Sequence, residues 1–407
     1  MSYAVAMLSV HTSPLDSPGR TKDAGGMNVY MRELASELGH RHTTVDIFTR
    51  WTDESSPRIV QFSPNVRVIH IKAGPIAPIH KNDLYQYLPE FIHNIEEFRR
   101  SKARHYDVLH SHYWLSGVAA MQLAQRWDVP HVTMFHTLAR LKQLANPNEK
   151  EPALRLEMEQ QLIKHADRII TATVDERTQL IRCCGATANQ VEVIPCGVDL
   201  KLFVPLNRLA ARKKLGLQQH QPMLLFVGRL DPFKGPDLFL RAIAMMDEQA
   251  QVVLVGGKLA GDLELEQLQA LARELGIAER VHFLGARPQQ ELPEIYNAAD
   301  VTVVPSYHES FGLVAVESLA CGTPVVATRA GGLSTIVRHA ATGYLVPRCP
   351  GFFAERLDTL LRDHTLLEQM RLAARPSVRH FSWKSVADQV SSVYQEMISE
   401  IEQLVAQ

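Results

Sequence analysis

Two basic residues in the second half of the chain, Arg229 and Lys234, have the spacing expected of a diphosphate site. They belong to the segment Gly-Arg-Leu-Asp-Pro-Phe-Lys-Gly at 228–235, directly after the apolar residues Phe226 and Val227. The arginine therefore lies at the end of a predicted buried strand, and the lysine follows in the loop before a predicted helix. Two cations so placed can hold a diphosphate and stabilise the charge that it gains as it leaves. The alternative is a pair of solvated surface charges.

A second segment, Glu-Ser-Phe-Gly-Leu-Val-Ala-Val-Glu at 309–317, places two carboxylates around an uncharged stretch. The Gly-Leu-Val amides in its middle can open a helix, so that Glu309 would contact a ligand at the helix start. Glu309 alone could be a carboxylate stabilised by the helix dipole. That explanation leaves Glu317, two turns inside an apolar helix, without a reason.

The first half of the chain offers a glycine pair and a histidine at predicted strand ends. Gly25 and Gly26 lie in the segment 23–30, where a strand-to-helix turn would let a ligand approach the backbone and present free N–H groups to a phosphate. The segment lacks the Gly-x-Gly-x-x-Gly pattern, and a helix start that needs small residues would explain it equally. His136 is followed by a hydroxyl and two cations within six residues, which makes it a candidate acid, base or hydrogen-bond donor.

A metal site is not expected. His110 and His112 could be metal ligands, but no third ligand is in register with them. The chain also lacks the Asp-x-Asp pattern that holds a divalent cation against a nucleotide diphosphate. Arg229 and Lys234 would have to replace that cation, so we expect neither a metal nor another cofactor.

The elements that must position these residues are short apolar runs alternating with amphipathic stretches, the pattern of parallel sheets buried on both faces. Predicted strands lie near 3–10, 43–49, 66–71, 107–112, 131–136, 168–173, 191–194, 224–228, 251–255, 281–284, 301–304, 324–327 and 344–346. We predict an α/β protein of two doubly wound, Rossmann-like domains, at 1–196 and 197–382. A helix over 383–407 is expected to pack back on the first domain. The ligands of such domains lie beyond the carboxyl ends of the strands, and a cleft between the domains is the expected site.

The composition argues against some classes of binding partner and indicates a cellular compartment. The 407 residues carry 43 Lys and Arg against 44 Asp and Glu, a net charge of -1 that argues against nucleic acid or an anionic membrane as a partner. The five cysteines are odd in number and lack Cys-x-x-Cys spacing, which favours a reducing cytoplasm. No apolar run approaches the ~18 to 20 residues that span a bilayer.

These segments together resemble the retaining glycosyltransferases of the two-Rossmann (GT-B) type, in the family 4 group that includes sucrose-phosphate synthases and the mycothiol-pathway transferases. The resemblance covers nearly the whole chain, and its most specific parts are 228–235 and the Glu-x7-Glu spacing of 309–317. It implies a nucleotide sugar, UDP-linked, as co-substrate. Transfer would then proceed without a protein nucleophile, by positioning and charge stabilisation.

The resemblance also assigns roles to individual residues. Arg229 and Lys234 would bind the donor diphosphate, Glu317 the nucleotide ribose and Glu309 the transferred sugar, and His136 would lie beside the reacting carbon. The donor-binding residues it implies are Gly26, Arg229, Lys234, Glu309, Gly312, Leu313, Val314 and Glu317. The catalytic residues it implies are His136, Arg229, Lys234 and Glu309. The acceptor-binding residues it implies are Asn28, Lys81, Tyr113, Thr137, Arg140, Lys142 and Arg155.

The resemblance points to two different phosphorylated molecules as the acceptor. The segments 23–30 and 111–117 resemble transferases that add N-acetylglucosamine to inositol phosphate. Arg140, the segment 155–159 and the segment 80–84 instead resemble sucrose-phosphate synthases. Either acceptor phosphate would need cations of the first domain, which Lys81, Lys142 and Arg155 can supply at about 1.5 to 3 kcal/mol each.

The expected reaction is transfer from UDP-glucose to fructose 6-phosphate, giving sucrose 6-phosphate and UDP in the cytoplasm. The first alternative is transfer from UDP-N-acetylglucosamine to inositol phosphate, and other acceptors, including lipid-linked ones, stay open. A non-catalytic nucleotide-sugar-binding protein is a rival of another class, and a nucleotide-sugar epimerase is a third possibility.

Overall fold

The computed structural model describes residues 3–16, 25–258 and 261–405, and these form two compact units. The N-terminal unit combines residues 3–16 and 25–195 with the helix at 383–405. The C-terminal unit takes its described residues from 196–382. The chain thus leaves the first unit after Pro195 and returns to it at Trp383.

The described part of the N-terminal unit contains one eight-stranded sheet. Its strands are β1 Ala4–Ser9, β2 Thr44–Arg50, β3 Ile59–Ser63, β4 Val66–Ile71, β5 Val108–His112, β6 His131–Met134, β7 Arg168–Thr171 and β8 Val191–Val193. The helices up to Pro195 are α1 Gly26–His40, α2 Leu88–Ser101, α3 Trp114–Trp127, α4 Ala139–Ala145, α5 Ala153–His165 and α6 Val174–Cys184, with 3-10 turns at Lys81–Asp83 and Tyr85–Tyr87.

The sheet has the order β3-β4-β2-β1-β5-β6-β7-β8. All neighbours are parallel except β3 and β4, which pair antiparallel at the edge. Strands β1, β5 and β6 are almost entirely buried, as expected for central strands of a sheet covered on both faces. The order changes direction between β1 and β5, and the carboxyl ends there form the usual ligand position of such sheets.

The C-terminal unit has a six-stranded parallel sheet within its described residues, in the order β11-β10-β9-β12-β13-β14. The strands are β9 Met223–Val227, β10 Gln251–Val255, β11 Val281–Gly285, β12 Val301–Val304, β13 Val325–Thr328 and β14 Gly343–Val346. The helices are α7 Arg208–Lys214, α8 Pro236–Ala244, α9 Leu263–Glu274, α10 Leu292–Ala298, α11 Leu313–Ala320, α12 Leu333–Ile336, α13 Pro350–Arg362 and α14 His364–Val378, with 3-10 turns at Ala278–Arg280 and Gln289–Glu291. Here the order changes direction between β9 and β12, the strands that precede the two motifs of this half.

The last helix, α15 Trp383–Val405, belongs to the N-terminal unit and packs on α1. Asp388 on this helix forms an ion pair of 2.6 Å with Arg41, at the end of α1. The Tyr394 hydroxyl lies 2.6 Å from His110 Nδ1, so the helix also contacts strand β5.

The prediction of an α/β protein with two parallel sheets is confirmed by this topology. Each predicted strand overlaps an observed one, whereas β3 was not predicted. None of the described helices is long and apolar enough to cross a membrane.

Candidate active site

The first site motif follows β9 and is shaped by two glycines. Gly228 and Gly235 adopt φ values of +155° and +76°, conformations that side chains disfavour. A Cβ at Gly235 would also lie 2.5 Å from the Pro305 carbonyl oxygen, so only glycine fits where α8 begins. Between them, Arg229 is 41% exposed and its Nη2 lies 3.1 Å from Asp231 Oδ2.

The two motifs of the C-terminal unit are joined by an ion pair. Lys234 Nζ donates to Glu309 Oε1 at 2.6 Å, and Ser306 Oγ donates to the same oxygen at 2.8 Å. The Tyr307 amide donates to the Phe233 carbonyl at 2.9 Å, which fixes the loops to each other. Burial would raise the pKa of Glu309, but Lys234 and Ser306 outweigh it and hold that pKa below its usual value. Glu309 is therefore ionised and prepositioned next to the cation of the first motif.

Helix α11 begins at Leu313 behind Gly312, whose φ is +105°. A Cβ at Gly312 would meet a Leu333 methyl carbon at 2.9 Å. The amides of Leu313 and Val314 lie in the first turn, where backbone N–H groups have no acceptor within the helix. The start of α11 therefore offers N–H groups and the positive end of a helix dipole to an anion.

Glu317, one of the predicted site residues, lies on α11 and is 6% exposed. The Tyr296 hydroxyl donates to its Oε2 at 2.7 Å. Burial and the neighbouring Glu317 raise the pKa of Tyr296 well above its usual value, so the phenol keeps the proton that it donates. Tyr296 fixes the orientation of this carboxylate, a role that no motif indicated.

His136 follows β6 in the N-terminal unit and has a φ of +59°, an unusual value for a histidine. Its Nε2 lies 3.0 Å from His112 Nδ1, and its ring packs against Tyr30 at 5.3 Å between centroids. Burial lowers the pKa of His136 to about 3, helped by His11. His136 is therefore neutral at physiological pH and can act through a hydrogen bond, whose direction depends on the tautomer shared with His112.

Tyr113 and Thr137, two of the predicted acceptor residues, contact the guanidinium of a third, Arg155. Arg155 on α5 is 3% exposed, and its Nη2 donates to the Thr137 carbonyl at 2.8 Å and to Thr137 Oγ1 at 3.2 Å. Its Cζ lies 4.8 Å from the centroid of the Tyr113 ring. Lys142 is held by carboxylates, its Nζ lying 2.5 Å from Glu149 Oε1 and in contact with Glu151 as well. Neither carboxylate was among the predicted site residues.

Asn28, Lys81 and Arg140 are the remaining predicted acceptor residues. Asn28 is fully buried, and its side chain accepts from the Gly25 amide and donates to Thr12 and Ser13, which ties α1 to the loop after β1. This satisfied position gives Asn28 a structural role. Lys81 opens a 3-10 turn and Arg140 is exposed on α4.

Gly26 is the first residue of α1, where an anion would meet free amides, whereas Asp23 and Ala24 of the same motif lie outside the described residues. Within residues 3–16, 25–258 and 261–405, no group of three or more His, Cys, Asp or Glu side chains is arranged to hold a metal ion.

Comparison with known proteins gives consistent matches in both units. The family described as glycosyltransferase family 4 matches residues 24–202, and glycosyl transferases group 1 matches residues 207–376. A D-inositol 3-phosphate glycosyltransferase of Xylanimonas cellulosilytica is 42% identical over 96% of both chains. Its counterpart from Thermomonospora curvata is 44% identical over 96% of this chain and 94% of the relative.

Among solved structures, sucrose-phosphate synthase from Thermosynechococcus elongatus superposes with a TM-score of 0.92. It is 34% identical, over 98% of this chain and 100% of its own. Anabaena HepE in complex with UDP-glucose has the same fold, with a TM-score of 0.77 at 22% identity over 97% of this chain and 100% of its own. The conserved architecture and these full-length similarities show that the chain belongs to the GT-B glycosyltransferases of the family 4 type.

Proposed function

We propose that this glycosyltransferase transfers a sugar from a nucleotide sugar to inositol 3-phosphate. The observation that carries the proposal is the identity of 42 to 44% to several D-inositol 3-phosphate glycosyltransferases over nearly the whole chain. These relatives favour the alternative acceptor over the fructose 6-phosphate that we expected from the sequence. UDP-N-acetylglucosamine is the donor proposed with this acceptor.

The donor would be held by the C-terminal unit. Arg229 and Lys234 would contact the diphosphate, while the amides that open α11 neutralise a further phosphate oxygen. Glu317, oriented by Tyr296, would accept hydrogen bonds from the ribose hydroxyls. Glu309 would contact the transferred sugar through the carboxylate that Lys234 and Ser306 hold in place.

The reaction would break the bond between the anomeric carbon and the diphosphate oxygen and form a bond from that carbon to an inositol hydroxyl oxygen. The hydroxyl proton would pass to the departing phosphate oxygen, on the same face of the sugar, so that the anomeric configuration is retained. Arg229 and Lys234 would stabilise the growing negative charge on the diphosphate. Neutral His136 would contribute a hydrogen bond near the reacting carbon, without carrying charge.

Fructose 6-phosphate is the second candidate acceptor. It is favoured by the superposition on sucrose-phosphate synthase at 34% identity and by Arg140, which matches that group after the histidine segment. The two acceptors share a phosphate and differ in the ring that carries the hydroxyls.

An acceptor screen separates these reactions. Purified protein is incubated with UDP-N-acetylglucosamine or UDP-glucose and with inositol 3-phosphate or fructose 6-phosphate, and UDP release and product are followed by NMR. We expect turnover with inositol 3-phosphate and an unchanged anomeric configuration. Turnover with fructose 6-phosphate alone would contradict inositol 3-phosphate as the acceptor. Tight binding of the UDP-sugar without any transfer would favour a non-catalytic binding protein.

A further inference from the structure

The loop between α4 and α5 carries carboxylates into the cationic group predicted to bind the acceptor phosphate. Glu151, near the end of this loop, contacts both cations: its Oε1 contacts Lys142 Nζ, and its Oε2 accepts from Arg155 Nη1 at 2.9 Å. Glu149 pairs with Lys142 at 2.5 Å, and Glu159 accepts from Arg155 Nε at 2.7 Å. Glu151 thus occupies the position between the two cations.

The charges of this group do not favour an incoming phosphate. Among the described residues, Lys142 and Arg155 face the three carboxylates of Glu149, Glu151 and Glu159, which leaves a net charge of -1 when all five are ionised. Burial would raise the pKa of Glu151, but Arg155 and Lys142 outweigh it and keep that pKa below its usual value. A phosphate would therefore be repelled unless a carboxylate gave up its place.

The hydrogen bonds of Arg155 identify which carboxylate can be replaced. The guanidinium has five N–H groups, and it donates to Glu159, to Glu151 and twice to Thr137. Glu159 is 3% exposed and also accepts from the Ala139 amide at 2.8 Å, which anchors α4. Thr137 directly follows His136 along the chain. Glu151 is 8% exposed and lies on the connecting loop, so it is the partner that can leave with the least disruption.

We infer that Glu151 is a specificity-determining residue of the acceptor site, an internal anion that the acceptor phosphate displaces from between Lys142 and Arg155. This inference rests on the proposed function, because it requires a phosphorylated acceptor at these cations. Glu151 would set the acceptor affinity because the phosphate gains the contacts with Lys142 and Arg155 that Glu151 gives up. Only a dianionic or well-positioned phosphate would compete with the Glu151 carboxylate for these cations.

Binding of inorganic phosphate tests the exchange directly. The full-length protein, Glu151→Gln and the control Glu157→Gln are titrated with inorganic phosphate by calorimetry at constant ionic strength. Glu157 is exposed on α5, six residues after Glu151, so its replacement removes the same charge nearby in the chain, at a residue that is not among the ion-pair partners of Lys142 and Arg155. We expect the Kd for phosphate to fall about tenfold in Glu151→Gln, the effect of one charge-assisted contact, and to stay near the wild-type value in Glu157→Gln.

A double variant tests whether the tighter phosphate binding arises at Lys142 and Arg155. Adding Lys142→Met to Glu151→Gln should abolish the gain, whereas phosphate bound at Arg229 would be unaffected by either change. An unchanged or higher Kd in Glu151→Gln would overturn the inference and show that Glu151 holds Arg155 in place for the acceptor. If Glu151→Gln fails to fold, Glu149→Gln must still bind phosphate more tightly than Glu157→Gln, or the inference is wrong.

Kinetics with the acceptor separate this inference from the proposed function. If the function holds, the KM for inositol 3-phosphate should fall in Glu151→Gln in parallel with the phosphate Kd. If phosphate binding tightens while no variant glycosylates inositol 3-phosphate, the proposed function fails and the anion exchange stands.

Discussion

Replacing His131 with glutamine should make the N-terminal unit less sensitive to acid. His131 is 2% exposed on β6, and its Nε2 lies 2.7 Å from Ser111 Oγ, a contact that a glutamine amide can reproduce. Burial lowers the pKa of His131 to about 4. The unfolded chain, with a histidine pKa near 6.5, therefore binds a proton as the pH falls below 6.5 while the folded unit does not, so acid favours unfolding.

The size of this effect follows from the two pKa values. At pH 7.5 both states are neutral at this residue and the penalty is below about 0.1 kcal/mol, whereas at pH 5.5 it is about 1.4 kcal/mol. His131→Gln removes the penalty, so its stability relative to wild type should improve by about 1.3 kcal/mol between these pH values. Glu176, whose pKa is raised by burial to about 7 with no contribution from His131, titrates equally in both proteins and cancels.

Tryptophan fluorescence during urea unfolding is a suitable assay, since the four tryptophans, Trp51, Trp114, Trp127 and Trp383, all belong to the N-terminal unit. The control is His93→Gln, at an exposed position on α2. Its stability relative to wild type should be the same at both pH values. If the stability difference between His131→Gln and wild type does not change with pH, then His131 is not held neutral by burial and the reasoning fails.

Three further predictions concern single side chains. Arg229→Ala and Lys234→Ala should each lower kcat/KM by at least about 100-fold, or about 3 kcal/mol of transition-state stabilisation, in a protein that stays folded; unfolding of either would instead make the side chain structural. Tyr296→Phe should raise the KM for the nucleotide sugar several-fold, because Glu317 loses a hydrogen bond worth about 1.5 to 3 kcal/mol, and should leave the acceptor KM unchanged; equal effects on both would contradict a ribose contact. Arg155→Ala should destabilise the N-terminal unit by about 3 to 5 kcal/mol in urea, since it strands buried carboxylates, and a stable variant would show that they relax into water.

Most of the parallel strands could be predicted from the sequence because they contain short apolar runs, as in the Met223–Val227 strand of the C-terminal unit. The edge strand Ile59–Ser63 was missed, because its residues are half-buried or exposed and therefore lack such a run. The pattern of alternating strands and helices also placed Arg229 just after a strand, where it lies behind Val227, and Glu309 ahead of a helix, where it precedes Leu313.

The partners of the predicted acceptor residues could not be predicted from the strand and helix pattern. Lys142 and Arg155 are predicted to bind the acceptor phosphate, and each pairs with carboxylates in the structure. One signal was present: Glu151 and Glu159 lie four residues before and after Arg155, the spacing of ion pairs along a helix. No such signal existed for Tyr296, whose contact with Glu317 spans two helices and arises only from their packing.

The position of the last helix has a consequence for how the protein is made. The C-terminal unit is continuous along its described residues from 196 to 382, apart from the interval 259–260, whereas the N-terminal unit is completed by a helix whose Tyr394 lies 284 positions after its partner His110. During synthesis, the first unit to begin folding is therefore the last to finish, and the surface of α1 that contacts α15 stays uncovered until that helix has left the ribosome. A nascent chain stalled before Trp383 would present that surface to chaperones, while the unit translated second could already be folded.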